Sequence, residues 1–239
     1  MKKIILSLLA CLATMPALAQ YYPDGRPIPP SKRGAYYKQR SQPRPNRYHS
    51  RDRYPGLDQY FGFRIGPAFG TVHSDAPALD ASSIRTGLNV SFIYGTQLTA
   101  VAPLYFETSL GYAGKGGEST FNGQKFTYDL DYIELPLLLK YKYYATPDIS
   151  VEPFAGAYAA VGVAGNIKDY GNREAYSSFN GDANSSFRRW DAGLKVGCGV
   201  SFQMFYVGLS YDIGLANVGH DDFDTTHTGS LNLDFGVTF

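Results

Sequence analysis

Four histidines, His49, His73, His220 and His227, are the side chains of this 239-residue chain best suited to acid–base chemistry near neutral pH. Acyl transfer or ester hydrolysis would set one of them beside a Ser or Thr nucleophile and orient it with a carboxylate. His49 lies in a Pro/Arg-rich stretch and the other three in polar connections. No segment of alternating residues carries a His with a Ser nearby on its apolar face. His220, Asp221, Asp222, Asp224 and His227 have the donor types of a divalent-metal site. Asp-rich connections are more often simply solvated, so the sequence assigns no catalytic residue, no metal and no cofactor. Outside the first 19 residues the chain holds one cysteine, Cys198, which reads as a small apolar filler on a strand.

The elements that must carry any site are strands. From Tyr60 onward apolar residues recur at every second position between clusters of Gly, Asn, Asp and Pro. Residues 61–69 put Phe61, Phe63 and Ile65 on one face and Arg64 on the other. Residues 85–98 set Leu88, Val90, Phe92 and Tyr94 against Arg85 and Asn89. Residues 104–114 set Phe106, Leu110 and Tyr112 against Glu107, and 128–142 set Ile133, Leu135, Leu137 and Leu139 against Glu134, Lys140 and Lys142. The pattern is weakest at 149–164, where Ala dominates. It returns at 188–202, 205–215 and 228–239, which makes eight strands.

Each runs about 10–14 residues, and at about 3.3 Å per residue and a tilt near 40° it spans about 25–35 Å, the depth of a bilayer's hydrocarbon. The mean hydropathy of −0.23 excludes a helical membrane protein but not a barrel, where alternate residues alone face lipid. Segments 71–84, 115–127, 165–187 and 216–227 read as long polar connections, and 99–103, 143–148 and 203–204 as short turns. That alternation predicts an all-β fold, an eight-stranded antiparallel up-and-down transmembrane barrel over 59–239, with long loops outside the cell and short turns in the periplasm. Phe61, Tyr141, Phe205 and Phe239 at the short-turn end, with Tyr112 and Trp190 opposite, would form the interfacial girdles.

The polar face of these strands would then be the barrel interior. It carries Glu107, Glu134, Glu152, Asp191, Asp212 and Asp234 with Arg64, Arg85, Lys140, Lys142 and Lys195. Eight strands leave no aqueous bore, so side chains fill the interior, and buried charges must be paired there. A salt-bridge network is the expectation, ahead of a proton or ion path. The longest connection offers Tyr170, Arg173, Tyr176 and Arg188 as candidate loop recognition residues, with Phe179 and Arg189 beside them.

Ahead of the strands, residues 1–19 read as a signal peptide: Lys2 and Lys3, an apolar stretch from Ile4 to Leu12, and Ala17-Leu18-Ala19 as the cleavage site. Residues 20–58 form a Pro/Tyr/Arg-rich arm with nine Lys/Arg against three Asp, a net of +6, and no apolar period. It is expected to be a disordered periplasmic arm. Residues 59–239 hold 11 basic and 18 acidic side chains, a net of −7. Expected partners are outer-membrane lipid or lipopolysaccharide around the barrel and, through residues 20–58, an anionic periplasmic partner or cell-wall polymer; no nucleic acid is expected.

Tyr132-Ile133-Glu134-Leu135-Pro136-Leu137-Leu138-Leu139-Lys140-Tyr141 resembles the hallmark fourth strand of the PorT-like small outer-membrane β-barrel family. Glu152-Pro153-Phe154-Ala155-Gly156, Tyr211-Asp212-Ile213-Gly214-Leu215-Ala216-Asn217 and the final Phe239 resemble the same family more weakly. The resemblance covers about 60–239 and implies the fold and the outer membrane; some members are similar to parts of a protein-secretion apparatus. The expected function is a non-enzymatic integral outer-membrane barrel with a structural or binding role. The alternatives are a component of a secretion apparatus and, behind it, an enzyme acting on outer-membrane lipid.

Overall fold

In a computed structural model of the chain, the period-two segments pair edge to edge until no edge is left. The structure describes residues 57–77, 79, 83–99, 102–170, 174–179 and 185–239, all within the unit Asn46–Phe239. Residues 1–19, read as a signal peptide, residues 20–56 of the expected arm and Arg173 lie outside the described residues. Eight long strands form the wall: β1 (Gln59–Ser74), β2 (Ser83–Gln97), β3 (Leu104–Phe121), β4 (Gln124–Tyr141), β5 (Ile149–Ala164), β6 (Trp190–Phe202), β7 (Phe205–Gly214) and β8 (Thr226–Thr238). Each is antiparallel to the next, and β8 returns to β1 with Thr238 opposite Gly62 and Thr226 opposite Ser74. Apart from local register shifts, as between Ile84 and Asn89, the ladders pair strand to strand around the wall, the condition for crossing a bilayer with strands.

Side-chain direction follows the expected alternation across the middle of the barrel. Phe61, Phe63, Ile65, Phe92, Leu110, Leu137, Leu139, Val207 and Phe235 are all exposed on the outer surface, while Arg64, Glu107, Lys140 and Asp212 are buried inside. A soluble domain does the reverse, so the outer surface is built for an apolar solvent. Large rings enter the interior where strands lack a Cβ: Tyr60 lies against Gly95, and Tyr206 against Gly199 and Gly208.

The connection expected over 115–127 is a strand instead. β3 and β4 stay paired up to Phe121 and Gln124, and a two-residue turn joins them with Asn122 at φ 52° and Gly123 at φ 78°. Asn-Gly accepts positive φ at both positions, the geometry of the hairpin turn that matches strand twist. At 18 residues each, these strands would reach about 45 Å at a 40° tilt, more than the hydrocarbon needs.

The surplus length has the opposite polarity. On β4, Leu135, Leu137, Leu139 and Tyr141 face outward and exposed, with Glu134 and Lys140 inward. Above Ile133 the pattern inverts: Phe126, Tyr128, Leu130 and Tyr132 point inward at 0–1% exposure, and Lys125, Thr127, Asp129 and Asp131 take the outer face. A surface against lipid is apolar outside, and one against water is apolar inside. The switch at Tyr132–Ile133 therefore marks where the wall leaves the membrane.

Those inward rings nucleate a second core at the loop end. Val72, Leu79, Tyr158, Ile167, Phe179, Phe187, Val218 and Phe223 pack with them. A short sheet of Ser185–Phe187 and Gly219–Asp221 ties the β5–β6 and β7–β8 connections together over this core. The described parts of these connections thus form a packed cap.

Candidate functional site

Below the cap, side chains from several strands cross the bore in two charged layers. The layer nearer the short turns centres on Glu107 of β3. Arg64 of β1 donates to it through both guanidinium ends, Nη1 to Oε1 at 2.8 Å and Nη2 to Oε2 at 2.9 Å. Tyr60 Oη donates at 2.7 Å and Lys140 Nζ of β4 at 2.5 Å. Lys140 also reaches Glu152 of β5 at 3.2 Å, and Ser150 and Ser201 donate to the other oxygen of that carboxylate at 2.8 and 2.9 Å. Arg64 lies 3.9 Å from the Tyr206 ring centroid, and Lys142 lies 3.9 Å from that of Tyr60. A two-ended Arg–carboxylate pair fixes geometry as well as charge, so this layer is a rigid crosslink between opposite walls.

The second layer sits higher. Lys195 of β6 contacts Glu134 at 2.6 Å and Asp212 of β7 at 3.1 Å. Lys115 of β3 reaches across to Glu134 at 3.2 Å, Asp191 at 3.4 Å and Asp212 at 3.9 Å, 4.3 Å from the Tyr158 ring centroid. Tyr158 and Thr228 hydroxyls donate to Asp191 at 3.2 and 2.8 Å, and Asn232 donates to Asp212 at 3.1 Å. Between the layers Asn89 donates to Asp234 at 3.1 Å beside a cavity of about 30 Å³, lined in part by Arg64, Ser91, Ser109, Glu134 and Ser210. Such a space holds about one or two waters.

The expected interior residues therefore divide. Arg64, Glu107, Lys140 and Glu152, with Lys142 at 3.9 Å from Glu152, make one layer; Glu134, Asp191, Lys195 and Asp212 make the other; Asp234 lies between. Arg85 is in neither. It pairs with Asp129 at 2.5 Å on the rim, where both are about one-third exposed. Lys115 stands where a fifth interior cation is needed, and reading 115–127 as a connection hid it. The signal was available: the inward phase of Glu107, Ser109, Gly111 and Ala113 continues to Lys115, and Asn122-Gly123 marks the turn beyond. Six carboxylates and five cations leave the bore close to neutral, as burial demands.

The loop residues divide as well. Tyr170 packs edge-on to Phe126 and Phe223, with centroids 4.9 and 5.6 Å apart, and Tyr176 donates to the Ser185 carbonyl at 2.8 Å. Both are half-buried parts of the cap. Arg188 is exposed, as is Arg189, whose Nη1 donates to the Gly162 carbonyl at 3.1 Å. Of the histidines, His220 contacts Asp221 at 3.4 Å, His227 Nδ1 lies 3.0 Å from the Ala216 carbonyl oxygen, and His73 stands opposite His227 across β1 and β8. Among the described residues no cluster of three or more His, Cys, Asp or Glu side chains is arranged to hold a metal ion.

A closed eight-stranded wall, apolar outside and ionic within, defines a small outer-membrane β-barrel. Residues 41–219 match the outer membrane protein beta-barrel domain family, and the chain belongs to it. No curated protein matches the chain. Solved structures similar to it include Ail, the attachment invasion locus protein of Yersinia pestis (16% identity, covering 76% of this chain and 99% of that one, TM-score 0.42). OprG of Pseudomonas aeruginosa (13%, 77% and 97%, TM-score 0.41) and Neisserial surface protein A (17%, 74% and 95%, TM-score 0.39) are also similar.

Proposed function

We propose that the protein is a non-enzymatic envelope barrel, sealed to solutes, which works through its two ends. The observation that carries this reading is the filled bore: among the described residues two ionic layers cross it beneath a packed aromatic cap, and the cavity between the layers measures about 30 Å³. The long connections face the exterior and the short turns the periplasm, so the arm and the C-terminus lie on the periplasmic side. Arm residues 20–58, net +6, suit an anionic periplasmic partner or a cell-wall polymer. Outer-membrane lipid surrounds the wall.

A PorT-like role within a protein-secretion apparatus is the second reading. It is supported by the resemblance of the segment Tyr132–Tyr141 to that family's fourth strand. Planar-bilayer recording of the refolded protein tests the sealed bore. The expected trace is flat, and stable openings of nanosiemens size would overturn the reading. Incubation with lipopolysaccharide is expected to release no acyl chains; their release would favour a lipid-modifying enzyme.

A further inference from the structure

Outward at the loop end of β5 and β6, apolar surface and unneutralised cations meet. Trp190, the only tryptophan of the chain, is 72% exposed, the highest value among the large apolar side chains of the described residues. It stands opposite Val161 at the top of β6, and Val163 and Leu215, at the same end of the flanking strands, are 49% and 58% exposed. The backbone N–H of Leu215 donates to the Ala192 carbonyl, and that of Gly162 to the Arg189 carbonyl, so these residues share one patch. Arg188 and Arg189 immediately precede the tryptophan. The Arg189 guanidinium is held against β5 by its bond to the Gly162 carbonyl and lies 5.7 Å from the Phe179 ring centroid; among the described residues the rest of its N–H donors have no hydrogen-bond partner.

Two other cations on the rim have carboxylate partners: Arg85 has Asp129 and Lys125 has Glu118. Among the described residues neither Arg188 nor Arg189 is within ion-pair distance of an acid. The side of the barrel below them is lined with Ala155, Ala157, Ala159 and Ala192, flanked by Leu135, Leu137 and Leu194. Indole rings settle at the boundary between headgroup and acyl chain, and guanidinium groups bind phosphate in two-point fashion.

We propose that this patch holds one phosphorylated lipid of the outer leaflet. Arg189 and Arg188 contact its phosphate, Trp190 packs at the junction of headgroup and chain, and the alanine face receives an acyl chain. The proposal rests on the outward orientation of the long connections and is independent of any role for the arm.

Trp190 reports on its own site. The full mature chain, refolded in zwitterionic micelles, is titrated with diphosphoryl lipid A while tryptophan emission is followed. Saturable change is expected, with phosphatidylcholine and inorganic phosphate each producing none. In R188Q/R189Q the midpoint should rise about tenfold, the loss of one or two charge-assisted bonds in a wet setting, while R189K stays within about threefold of the parent. A heat-dependent gel shift verifies that each variant has folded. A folded barrel with no saturable response, an unchanged midpoint in R188Q/R189Q, or the same response to inorganic phosphate alone overturns the lipid site. Failure of the parent chain to fold in micelles strikes the barrel reading instead.

Discussion

Lys115 Nζ lies 3.2 Å from Glu134 Oε2 inside the barrel, although the strand register sets Glu134 opposite Gly111, four residues below Lys115. The lysine therefore reaches down from the height of the cap into the upper ionic layer, and it is the one interior cation that touches Asp191. Its replacement by Met would leave six buried carboxylates facing four cations. Lys115→Met is expected to lose about 3–5 kcal/mol, the typical cost of stripping one partner from a buried pair. Urea unfolding of the refolded barrel measures this, and adding Glu134→Gln to the same chain should recover part of the loss.

Glu107 and Arg85 contrast the bore with the rim. Glu107 receives Arg64, Lys140 and Tyr60 at about 1% exposure, so Glu107→Gln should lower stability by about 3–5 kcal/mol. The Arg85–Asp129 pair is partly solvated, and Arg85→Ala should lose less than about 1 kcal/mol in the same unfolding assay. Equal losses would contradict the assignment of Arg85 to the rim.

The hairpin turn gives a third test. Gly123 has φ 78°, which a β-branched residue adopts only with strain, and a Cβ added there would meet nothing within 4 Å. Gly123→Val is therefore expected to destabilise through the backbone alone, by about 1–2 kcal/mol, whereas Lys125→Ala nearby changes little. Protease resistance of the 115–130 segment, followed by mass spectrometry, should fall in the first variant and hold in the second.

Two arginine substitutions on the outer face of β4 separate lipid from water. Leu137→Arg lies well below the polarity switch and should lose about 2–4 kcal/mol, as a charge on the lipid face does near the midplane. Thr127→Arg, on the same face above the switch, should stay within about 0.5 kcal/mol of the parent. Reversible unfolding from lipid vesicles checks both.

All eight strands were legible because the outward face of each is apolar at every second residue, and the central charges followed from the same phase. The misreading of 115–127 has a physical cause. Period-two reading assumes that apolar residues stay on one face, but β4 changes face at Tyr132–Ile133 where the solvent changes from water to lipid. Phe126, Tyr128 and Leu130 belong to the opposite phase from Leu135, Leu137 and Leu139, so no outward apolar pattern extended the strand into 115–127. Lys115 was lost with it, and the cap could not be foreseen, since Phe179, Phe187 and Phe223 meet only through long-range packing. Arg85 was assigned inward by parity, but the β2–β3 register slips between Ile84 and Asn89, and parity fails across an irregularity of that kind.

The change of face on β4 is the most exposed point of the account. Single cysteines at 125, 127, 129, 133, 135, 137 and 139, placed in a Cys198→Ser background and spin-labelled in lipid bilayers, report access to oxygen and to a polar nickel chelate. Labels at 133–139 should favour oxygen and those at 125–129 the chelate, with the crossover between 129 and 133. Uniform chelate access along the whole strand would contradict a lipid-facing wall, and uniform oxygen access would contradict the switch.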